Sequence, residues 1–154
     1  MNNQTTQVSF YHLTTSPFDK ALFGIVGKVL ENNMKAFILT NDPKVTSEID
    51  AFLWSIGRIS FVPHATISDP ELEMHPILIG HEIPQNLKFD AIISVNDRSD
   101  FNPKNYSRVI DIFDGNLDTS IALARERWKK YKAEGLDLKY WCQDPKGNWQ
   151  AKAA

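Results

Sequence analysis

Arg125, Lys129 and Lys132 stand at i, i+4 and i+7, so on a helix their side chains form one stripe. Trp128 sits at the border between that stripe and a second one, Leu117, Ile121, Ala124, Trp128 and Tyr131, whose spacing marks a face turned toward a core. A large ring with one side against a core and the other beside cations suits the capture of an apolar side chain together with an anion. The chemistry is recognition: ammonium and guanidinium groups meet carboxylate or phosphate while the indole offers a flat apolar surface. Five of the fourteen residues from Ile121 to Glu134 are Lys or Arg (Arg125, Arg127, Lys129, Lys130 and Lys132), a local charge of +3 once Glu126 and Glu134 are counted. The chain carries −2 in all, which leaves −5 for the rest. Cations near a helix C-terminus also offset the macrodipole by about 0.3–1 kcal/mol each, so the clustering favours an acidic partner without identifying it. Single-stranded nucleic acid, stacked on Trp128, is one reading, and an acidic peptide with a hydrophobic end is the other. The acidic remainder of the chain weighs against nucleic acid on this helix.

No second grouping assembles a reaction centre. There is no GxGxxG and no GxxxxGK[ST], and Gly24 and Gly27 fall inside a predicted helix, where they read as close packing positions. His64, His75 and His81 match no tight ligand spacing, and His12, at the end of the first predicted strand, reads as structural. Asp111 and Asp114 close a predicted strand and read as structural carboxylates. Cys142 has no histidine near it in sequence, and no GxSxG elbow occurs. Neither catalysis nor a cofactor nor a metal is expected. With a single cysteine no internal disulfide can form, which fits a reducing compartment. The N-terminus lacks a basic region followed by an apolar one, no window approaches a membrane span, and a cytoplasmic location is expected.

The elements that must position the cationic stripe follow from alternation. A chain of 154 residues with 42% hydrophobic content suits one compact domain, residues 1–154. Val8 to Leu13 reads as a strand, and Phe18, Leu22, Ile25, Val26 and Val29 then recur at helical spacing, with Ser16 as N-cap and Pro17 at the first helical position. A strand at 35–40 precedes a helix capped by Asp42, started by Pro43 and faced by Val45, Ile49, Phe52 and Leu53. After Phe61 to His64 a polar loop runs to about Met74. Buried strands are then expected at 76–80, 90–96 and 107–114, and a long helix from Leu117 to Glu134 ends at Gly135. Residues 136–154 read as a hairpin or extended tail, with Asp144-Pro145-Lys146-Gly147 suited to a type I turn. Strand and helix alternating in this way give an α/β fold, Rossmann-like, with a mostly parallel sheet flanked by helices. Trp54 and Phe61, in a segment rich in apolar residues, form a second candidate surface for another protein.

Taken in order, "FLW" at 52–54, "FVPH" at 61–64, "VIDIFD" at 109–114 and "ARERWKKYKAEG" at 124–135 with the tail "LKYWCQDPKGNW" resemble the chi subunit of the bacterial DNA polymerase III holoenzyme. The resemblance covers nearly the whole chain. It implies a non-catalytic, Rossmann-like adaptor that links the clamp-loader assembly to the acidic, Phe-terminated C-terminal tail of single-stranded DNA-binding protein. It places that tail on Arg125, Trp128, Lys129 and Lys132, with Phe113 as a pocket wall. On the opposite face, at Trp54 and Phe61, it implies the psi subunit or a helicase-like repair protein. Nucleic acid is then met only indirectly.

Overall fold

The computed structural model describes residues 6–56, 64–66, 76–84 and 87–152, with backbone alone for 52–56 and 64–66. Among the described residues eight strands form one sheet: β1 (Gln7–Leu13), β2 (Ala36–Leu39), β3 (His64–Thr66), β4 (Ile77–Gly80), β5 (Ala91–Ser94), β6 (Arg108–Asp114), β7 (Asp137–Gln143) and β8 (Trp149–Lys152). Their order across the sheet is β3-β4-β2-β5-β6-β1-β7-β8, and every pairing is parallel except that of β7 with β8. The Rossmann-like α/β reading therefore holds. Among the described residues the α-helices are α1 (Phe18–Glu31), α2 (Pro43–Ile56) and α3 (Asp118–Ala133).

The strands β2, β4 and β5 are buried at every position, as expected of parallel strands covered on both faces. Leu22, Ile25 and Val26 of α1 and Ile49 of α2 pack with Ile38, Ile79, Ile93 and Ile112 on one face. Ala124 and Tyr131 of α3 pack with Phe10, Phe37, Ile92, Val109 and Phe113 on the other. Where α3 does not reach, Ile83, Leu87, Phe101 and Tyr106 from the loops flanking β5 complete the cover. Arg98 ties those loops down. It donates from Nη1 to the carbonyls of Thr40 and His81, 2.6 Å each, and holds Asp100 with Nε and Nη2.

Several local expectations shift. Asp42 does cap α2, its Oδ1 accepting from the Val45 N–H at 2.9 Å. Ser16 does not cap α1: Pro17 is the N-cap, and the Ser16 hydroxyl instead accepts from Gln143 Nε2. Gly24 and Gly27 are not packing positions, since a Cβ on either would meet nothing within 4 Å. Leu117 is the N-cap of α3 and half exposed, so it stands outside the core seam. β3 was hidden because three residues carry no legible period. The tail is a hairpin. Gly147 donates to the Asp144 carbonyl at 2.9 Å, and its φ of +86°, natural to glycine, turns the chain into β8.

Candidate partner-binding site

The parallel register sets the site. Phe10 of β1 lies between Asp111 of β6 and Tyr140 of β7, and His12 lies between Phe113 and Cys142. Paired residues of parallel strands share a face, and α3 crosses this one. Its Trp128 is half-buried, edge-on to Phe10 with centroids 5.3 Å apart and to Tyr140 at 5.8 Å. Tyr140 also meets Phe113 at 6.3 Å, and His12 meets Phe113 at 5.0 Å. The His12 Nδ1 and the Tyr140 hydroxyl are hydrogen-bonded, which fixes the phenol. Close approach of Gly115 holds His12 from the other side, because a Cβ there would overlap the imidazole. Phe113 is only 3% exposed, so it supports this aromatic ledge from beneath. The ledge lies at the surface: a cavity of about 580 Å³ between α1, α2 and the ends of β1 and β6 meets it only at Phe113, and one of about 910 Å³ opens beneath the loops flanking β5.

Arg125 is exposed and makes no ion pair among the described residues. Burial pushes the Tyr140 phenol up, Cys142 adds to this, and the Arg125 charge pulls it back, which places Arg125 within electrostatic reach of the ledge. Lys129 is 75% exposed, with only the loose, equally exposed Glu126 carboxylate at 3.8 Å. A pair so solvated contributes about 0–1 kcal/mol and yields readily to a partner's carboxylate. Lys132 is exposed in the last turn, on the same stripe.

The fifth cation of the run behaves otherwise. Arg127 is buried beneath α3, its Nε donating to Asp111 Oδ2 at 2.6 Å and its Nη2 to Oδ1 at 2.9 Å. The same Nη2 lies 3.0 Å from Asp97 Oδ1, off the line of its N–H bonds, so that contact is Coulombic. Asp97 Oδ2 accepts from the Ser120 hydroxyl. Burial pushes the Asp111 carboxyl up to about 6, against the opposing pull of Arg127. This carboxylate therefore serves the α3 docking, as its structural reading requires. Of the five cations in the run one is withdrawn from the surface, while the stripe of Arg125, Lys129 and Lys132 keeps all three.

The second candidate surface is only partly visible. Trp54 belongs to the last turn of α2, which packs on the sheet face opposite α3. Its side chain, and Phe61 and His75 entirely, lie outside the described residues. No group of His, Cys, Asp and Glu able to hold a metal occurs among the described residues. No helix among them is long and apolar enough to cross a membrane.

Geometry thus defines a Rossmann-like α/β protein whose marked surface feature is a cation-bordered aromatic ledge rather than a cleft of reactive groups. The family model described as DNA polymerase III chi subunit, HolC, matches residues 5–139, and the chain belongs to that family, an accessory subunit of the polymerase. It is also similar to the probable DNA polymerase III subunit chi of Rickettsia prowazekii (strain Madrid E), 30% identical over 152 residues, which cover 93% of this chain and 90% of the relative.

Proposed function

We propose that this chain is a non-catalytic adaptor of the clamp-loader assembly. It binds the acidic C-terminal tail of single-stranded DNA-binding protein on α3 and is joined to the assembly through the opposite face, at Trp54 and Phe61, by a psi subunit or a helicase-like protein. The observation that carries the reading is the half-buried Trp128 ring beside the unpaired Arg125 and the loosely paired Lys129. A terminal Phe ring laid on Trp128 and Tyr140 contributes about 1.5–3 kcal/mol by burial. Each charge-assisted contact from Arg125, Lys129 or Lys132 contributes about 1.5–3 kcal/mol more. After the entropy of association, micromolar affinity, about −8 kcal/mol, is the expected order. Such a tether exchanges quickly, which suits a machine that repeatedly releases its coated template.

Titration of the full chain with an acidic peptide ending in Phe tests this. Binding should weaken as salt rises, and Arg125→Ala and Lys129→Ala should each weaken it several-fold. Affinity unchanged in both variants would remove the site.

A further inference from the structure

The sheet face opposite α3 carries a second aromatic and cationic surface, built by the C-terminal hairpin. Tyr11 of β1 pairs with Trp141 of β7, and their rings stack at 11° with centroids 6.3 Å apart. Trp149 of β8 stands edge-on to Tyr11 at 5.0 Å. All three are half-buried, and Trp141 belongs to neither core. Strand alternation puts Lys139 on this face with Trp141, and Arg108 on it with Tyr11.

A cleft of about 170 Å³ runs between α1 and the hairpin, walled by Tyr11 and Trp149 on one side and by Lys20, Gly24 and Lys28 on the other. It continues into a smaller one beside Arg108 that shares Tyr11 and Lys28. Gly24 keeps the α1 wall low. A helix-interior glycine with open space at its Cβ costs about 0.5–1 kcal/mol relative to alanine, a cost consistent with close approach of another chain to the backbone.

The charged residues that line the two clefts are cations, Lys20, Lys28 and Arg108. Lys20, Lys28, Arg108 and Lys139 are exposed and make no ion pair among the described residues. Carboxylates stand outside that lining: Asp19 and Glu31 are exposed on α1, Asp137 lies level with Arg108 across Gln7, and Asp114 lies at the other end of the platform. Two parallel rings, Tyr11 and Trp141, with Trp149 upright beside them and unpaired cations along one border, match a strand whose bases stack while its phosphates track the positive edge. An acidic peptide would satisfy the cations but has no use for the parallel Tyr11 and Trp141 rings, and another apolar protein surface would leave four cations unanswered.

We infer that the Tyr11–Trp141–Trp149 face binds single-stranded nucleic acid directly, separately from the tail site on α3. The adaptor then touches both the coated template's protein and its bare strand.

Fluorescence anisotropy of a labelled oligothymidylate of about 20 nucleotides, titrated with the full chain, tests this. Binding should appear at low salt, quench tryptophan emission, and fall steeply between about 50 and 200 mM salt. Trp141→Ala should weaken it about fivefold or more. The double variant Lys28→Glu with Arg108→Glu, at exposed positions, should weaken it further and flatten the salt slope, and it serves where Trp141→Ala fails to fold. Arg125→Ala and Lys129→Ala should leave it unchanged, and the tail peptide should bind alongside the oligonucleotide without competing. The inference is overturned by absence of binding at low salt, by binding lost in the α3 variants but kept in the charge reversal, or by competition between the two ligands. Sedimentation showing a dimer that Trp141→Ala disperses would assign the face to a second copy and likewise overturn it. If the oligonucleotide binds as described while the peptide does not, the tail reading alone fails.

Discussion

Arg125 and Arg127 stand two residues apart in one basic run, and about 200° of helical rotation sends them to opposite environments. Arg127→Ala would leave the Asp111 carboxylate buried and unpaired, a loss of about 3–5 kcal/mol. Arg125→Ala, at the surface, should stay within about 0.5 kcal/mol of the parent. Urea unfolding of the two variants distinguishes them. Residue type could not have separated this pair, and the seam that could, Ser120, Ala124, Arg127 and Tyr131, is masked by its two polar members. The exposed stripe was legible from spacing alone. Its aromatic neighbours were not: Phe10, His12 and Tyr140 come from strands that only long-range register brings under Trp128.

At the scale of elements, the C-terminal hairpin is part of the fold rather than an appendage. Gln143, the last residue of β7, uses Oε1 to accept from the backbone N–H groups of Thr14, Thr15 and Ser16, at 3.1, 2.9 and 3.1 Å. Its Nε2 donates to the Ser16 hydroxyl and the Gly147 carbonyl. One side chain thus pins the turn between β1 and α1 to the hairpin loop. Gln143→Ala should destabilise the protein by about 1–3 kcal/mol, since several groups lose their partner together. Thermal unfolding reads this, and faster hydrogen exchange at the Thr14 to Ser16 amides locates it. The turn itself was legible in Asp144-Pro145-Lys146-Gly147, and Asp144 Oδ1 accepts from Lys146 and Asn148 as such a turn requires. That β7 runs parallel to β1 was not legible, because nothing local in "LKYW" tells a parallel partner from an antiparallel one.

For the whole molecule, the alternation of strand and helix was enough to specify an α/β sheet, while the order β3-β4-β2-β5-β6-β1-β7-β8 was beyond a single sequence. Burial of Asp111 shapes the stability of the entire fold against pH. Its carboxyl, at about 6 when folded against 3.8 for the ordinary group, holds a proton between those values that the unfolded chain has released. This contribution to stability is therefore complete below the lower value, declines as pH rises through the upper one, and is flat above about pH 7. Unfolding curves from acid to neutral pH should show the decline, and Asp111→Asn should abolish that part of the slope; an unchanged slope would refute the assignment.

The place of β1 between β6 and β7 bears on how the protein is made. Its neighbours β6 and β7 leave the ribosome roughly 100 and 130 residues after it, so at about 5–20 residues per second the first strand waits on the order of 5–25 s for a partner. Until then an alternating apolar ribbon stays unzipped, within reach of chaperones, and the sheet closes around it only once β6 and β7 have been made.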